Sequence, residues 1–187
     1  MKRTIIFIHG SYGHPNENWF PWLKAELGKL GCNVIIPKFP TPKDQTLENW
    51  MKILNEYDDY FNTDTIMVGH SIGPALILRK LETLKKPIKA VFLVSGWIGN
   101  LGINEIDKLI KSFYEKPFEW NKIKKNSKHF FIYHSDNDPY VPLKMSIKLA
   151  NKLGTDVNLV KGAGHFNEKA GYTKFPLILK DIKKLIK

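Results

Sequence analysis

A three-layer α/β/α fold around a mostly parallel sheet is predicted for this 187-residue chain by three observations. Short apolar runs recur along it. Longer segments with helical spacing separate them. The runs are nearly continuous in apolar residues, which is how parallel strands read when helices cover both faces. The length fits one domain over residues 1–187, large enough to bury a core unaided.

The elements follow in order. Thr4–Ile8 is the first candidate strand, and Leu23, Leu27 and Leu30 stripe the helix after it. A strand over Asn33–Ile36 precedes a helix marked by Leu47, Trp50, Met51 and Leu54. Thr65–Val68 is the third strand, and Gly73–Leu84 reads as a helix with Pro74 tolerated in its first turn. Ala90–Val94 comes next, then a stripe of Ile106, Leu109, Ile110 and Phe113. A strand over His129–Tyr133 leads to a helix marked by Met145, Leu149 and Leu153. The last strand, Asp156–Val160, alternates as an edge strand does, and Phe175, Ile178, Leu179, Ile182 and Leu185 mark the last helix.

Composition narrows the function classes. Hydrophobic residues are 43% and charged residues 25%, ordinary for a globular protein. One cysteine, Cys32, cannot form an internal disulfide, so a reducing cytoplasm is the expected location. No apolar run is long enough for a transmembrane helix, and no membrane partner is expected. The charge is +11, from 29 basic and 18 acidic residues. Arg3 and Arg79 are the only arginines, and arginine supplies the planar fork that reads phosphates and base edges. The lysines are spread along the chain as a solvated surface does, so no specific nucleic-acid partner is expected. Histidines and carboxylates nowhere take metal-ligand spacing, and no cofactor motif is present; neither a metal nor a cofactor is expected.

In parallel sheets, ligands bind where the strands end. After the third strand comes Gly69-His70-Ser71-Ile72-Gly73, a G-x-S-x-G turn from strand to helix. A serine there is held in strained backbone, so the flanking glycines must be small. Serine needs a base, and the base needs an orienting carboxylate. Asp138 opens Asp-Pro-Tyr-Val-Pro after the fifth strand, and His165 stands in Gly-His-Phe after the sixth. Asp136 competes with Asp138 but suits a turn-capping role better. Ser71, Asp138 and His165 follow the α/β-hydrolase order.

An oxyanion formed at Ser71 needs two backbone amides. Ile72 supplies one, and the His9-Gly10-Ser11-Tyr12-Gly13 loop the other, Ser11 ahead of Tyr12. Tyr12, Trp97 and Phe166 are the expected walls of the substrate pocket, because all three sit beside strand ends. His70 is expected to pack beside the first strand, and His9 to brace the loop after it.

These motifs, with Asn18-Trp19-Phe20-Pro21-Trp22-Leu23 and Ser95-Gly96-Trp97, resemble the small serine hydrolases related to retinoblastoma-binding protein 9, over nearly the whole chain. The resemblance implies a minimal α/β-hydrolase fold without a large lid domain, a Ser71–His165–Asp138 triad, and small carboxyl esters as substrates. A protein partner is not implied, since no Leu-x-Cys-x-Glu motif is present. The rival expectation is a protein-interaction module on a hydrolase scaffold with a vestigial triad.

Overall fold

The computed structural model describes residues 3–186. Within them, six strands form one sheet: β1 Thr4–Ile8, β2 Asn33–Ile35, β3 Ile66–His70, β4 Ile88–Val94, β5 Ser127–Ser135 and β6 Val157–Val160. Their order is β2-β1-β3-β4-β5-β6, and every pair is parallel. All six predicted strands are present. The central β1 and β3 are buried throughout, whereas β6 lies at the edge as expected, with Asn158 and Leu159 both exposed rather than alternating.

Among the described residues, seven α-helices flank the sheet: α1 Phe20–Lys29, α2 Leu47–Asn55, α3 Gly73–Thr83, α4 Asn104–Tyr114, α5 Trp120–Lys125, α6 Leu143–Leu153 and α7 Pro176–Ile186. Side chains alternate across each strand, so the sheet makes two cores. Ile5 and Phe7 of β1 join Phe20, Leu23 and Leu27 of α1 and Ile178 and Ile182 of α7 on one face. Ile6 and Ile8 join Trp50, Leu76, Phe113, Ile123 and Leu149, from α2 to α6, on the other. Each aliphatic side chain so removed from water contributes about 1.5–3 kcal/mol. Among the described residues, no helix is long and apolar enough to cross a membrane.

Three observations depart from the sequence expectation. The short helix α5 carries mostly lysine and asparagine around one buried residue, Ile123, too little for a periodic signal. The strand β5 extends two residues past each predicted end, because its backbone pairing continues through Ser127 and Ser135. Arg79, given no place in that expectation, is buried. Its guanidinium donates to the carbonyls of Phe113, Lys116 and Pro117, pairs with Glu82 and lies 3.9 Å over the Phe118 ring.

Candidate active site

The turn after β3 sets Ser71 at φ 60°, in the left-handed region. Non-glycine residues pay for such backbone with roughly 1–3 kcal/mol, and the surroundings must hold it. A Cβ on Gly69 would stand 2.7 Å from the Pro74 nitrogen, and one on Gly73 would stand 2.5 Å from the Ile8 carbonyl oxygen. Both glycines are therefore required by space. A Cβ on Gly10 would meet the Ser71 Cβ at 2.9 Å, so only glycine lets the loop after β1 come this close to the serine. The N-terminus of α3 begins two residues on and favours negative charge beside Ser71.

The loops after β5 and β6 bring Asp138 and His165 to the same spot. His165 Nε2 lies 3.0 Å from Ser71 Oγ, and His165 Nδ1 lies 2.8 Å from Asp138 Oδ2. The second Asp138 oxygen accepts from the amides of Tyr140 and Val141 at 2.9 and 3.0 Å. The Asp138 side chain is fully buried. Burial pushes its carboxyl up; the hydrogen bond and charge of His165, with the two amides, more than offset this and hold it below its ordinary value.

Neighbouring side chains stitch the two loops together. Asp136 accepts from the Gly162 amide, Asn137 from Gly164 and Ser135 from Ala163, each at 2.8–2.9 Å. Asp136 thus serves a backbone amide, but one in the loop after β6 rather than in its own turn. These tethers were not foreseen, since they join loops distant in sequence.

Two histidines flank the site in neutral form. The Phe39 amide donates to His9 Nε2, leaving Nδ1 to donate to the Gly10 carbonyl, and burial lowers the ring's pKa. His70 Nε2 faces the His165 carbonyl oxygen at 2.7 Å. A carbonyl only accepts, so Nε2 carries the proton. Burial first, then the charge of His165, pushes His70 down to about 3. Its ring packs on His165 and Trp19, centroids 4.9 and 6.2 Å away, a contact the sequence did not reveal.

Above Ser71 opens a cleft of about 530 Å³. Trp97 lines it, and Tyr12 stands at its rim, 70% exposed. Phe166 does not line it. That ring is fully buried, stacks on Phe175 with centroids 5.1 Å apart, and belongs to the core beneath α1 and α7. The Tyr12 amide donates to Thr41 Oγ1, whereas the amides of Ser11 and Ile72 have no acceptor among the described residues. Among those residues, no group of three or more histidines, cysteines and carboxylates could hold a metal ion.

An all-parallel sheet with a serine elbow, a histidine and a carboxylate at its carboxyl edge defines the α/β-hydrolase class. Residues 5–184 match the family model described as Serine hydrolase, and the chain belongs to that family. It is 32% identical over 180 residues to the putative hydrolase YdeN of Bacillus subtilis (strain 168), covering 95% of this chain and 93% of the relative. It is 25% identical over 186 residues to the serine hydrolase RBBP9 of Rattus norvegicus, covering 99% and 95%. The crystal structure of the B. subtilis ydeN gene product superposes with a TM-score of 0.91 at 30% identity, covering 99% of this chain and 98% of that one. The resemblance read from the motifs is therefore met at the level of family and fold.

Proposed function

We propose that this chain is a carboxyl-ester hydrolase that works through an acyl-enzyme and needs no cofactor. The observation that supports this most is the unbroken line of hydrogen bonds from Asp138 through His165 to the strained Ser71. Ser71 Oγ attacks the acyl carbon, and its proton passes to His165 Nε2. The carbonyl oxygen takes the negative charge, received by the amides of Ser11 and Ile72. The C–O bond breaks, and the alcohol leaves with the proton from Nε2. Water then gives a proton to Nε2 and attacks the acyl carbon. The acid departs, and Ser71 Oγ regains its proton. Asp138 keeps Nδ1 protonated and steadies the imidazolium. The proposed setting is the cytoplasm, in keeping with the lone cysteine, Cys32.

The test is turnover of p-nitrophenyl acetate by the parent and by Ser71→Ala. The variant should retain the fold by circular dichroism and lose on the order of 10³-fold or more in kcat. Equal turnover would remove Ser71 as nucleophile.

A further inference from the structure

The cleft has two chemically different halves. On one side stand Trp97 and Leu101, after β4, then Ile106, Leu109 and Ile110 of α4, and Val141 after β5. Trp97, Ile110 and Val141 are almost wholly buried and continue into the core of the α2-to-α6 face. The Trp97 indole donates its N–H to the Gly99 carbonyl, so the ring offers the cleft an apolar wall with no unmet donor. The opposite half is polar and comes from the loops after β1 and β6. Asn18, Asn167, Glu168 and Lys169 line it, and Asn18 and Glu168 lock the two loops together by a reciprocal pair of 3.0 Å bonds.

Chemistry assigns the halves. The leaving oxygen must collect its proton from His165 Nε2, so the leaving group lies on the side of the imidazole. The chain beyond His165 runs directly into Asn167, Glu168 and Lys169, the polar half. The acyl group then extends the other way, towards Trp97 and α4. We infer that the substrate is an ester of an apolar carboxylic acid several carbons long with a polar alcohol, its acyl chain seated between Trp97 and α4. This rests on the proposed Ser71 nucleophile, and deepens it.

Extending the acyl chain along such a wall buries one methylene at a time, each worth roughly a fourfold gain. The experiment measures kcat/KM for p-nitrophenyl acetate, butyrate, hexanoate, octanoate and dodecanoate. A rise of roughly fourfold per methylene, ending at an intermediate length, is expected. In Leu109→Trp, which fills the wall from α4, the optimum should move to a shorter chain. On the leaving-group side, monooctanoyl glycerol should be cleaved faster than octyl octanoate. A flat or falling series in the parent, with acetate still turned over and Ser71→Ala inactive, would overturn the inference and leave the nucleophile standing. Turnover of no ester at all would remove both. Calorimetry on Ser71→Ala reads the same recess without chemistry: octanoate should bind and acetate should not, and equal affinities would contradict the assignment.

Discussion

At the scale of single residues, the site depends on groups that hold others in place. Ser71 presents its hydroxyl because Gly69 and Gly73 let the turn pack against Pro74 and Ile8, and Gly10 puts no Cβ against the serine. His165 is aimed at both ends, by Asp138 on one ring nitrogen and Ser71 on the other. His70 adds a third restraint, since its Nε2–H holds the backbone carbonyl of His165, whose ring it touches. Being neutral, it places no like charge beside an imidazolium. His70→Phe keeps the aromatic volume and loses the donor. An imidazole displaced by a fraction of an ångström should lower kcat roughly 10- to 100-fold with KM little changed. His70→Asn, which keeps a donor, should recover part of that loss. Steady-state kinetics of the two variants decides it: an unaltered kcat in His70→Phe would reduce the residue to packing.

At the scale of elements, the sequence was most informative where period and burial agree. Strands buried on both faces show as unbroken apolar runs, so β1, β3 and β4 could be read directly. The Ser, Asp and His candidates were legible because each follows a strand, and parallel strands end on one edge. Contacts between loops left no such trace. The bonds of Ser135, Asp136 and Asn137 to the amides of residues 162–164 and of Asn18 to Glu168 depend on how two distant loops meet. Phe166 misled for a related reason: adjacency to His165 says nothing of which way a residue at positive φ points. The stripe of Ile106, Leu109 and Ile110 was visible as a helix face, but periodicity cannot distinguish a face that fills a core from one that also borders a cleft. Arg79, assigned no role from the sequence, ties α3 to the end of α4 and the turn beyond it. It therefore supports the element that carries the apolar wall.

At the scale of the whole molecule, the charge of +11 sits mostly on exposed lysines, while His9, His70 and His134 are buried in neutral form. His70 is lowered to about 3, and burial lowers His9 and His134 as well. All three ordinarily titrate near 6.5, so the unfolded chain takes up protons there while the folded chain does not. Their contribution to stability is present above pH 6.5 and is lost as pH falls below it, down towards the folded values. Each such group accounts for at most about 1.4 kcal/mol per pH unit in that window. Urea midpoints measured from pH 7.5 to 4.5 should fall steadily below 6.5, and less steeply in His70→Phe; a level profile would contradict neutral burial. The central claim is that one hydroxyl, raised at the edge of this sheet and served by one imidazole, is the reacting atom. Intact-mass and peptide-mapping spectrometry after incubation with a fluorophosphonate tests it most directly. A single adduct on Ser71, lost in His165→Ala, is the predicted result, whereas no adduct or one on another serine would contradict it.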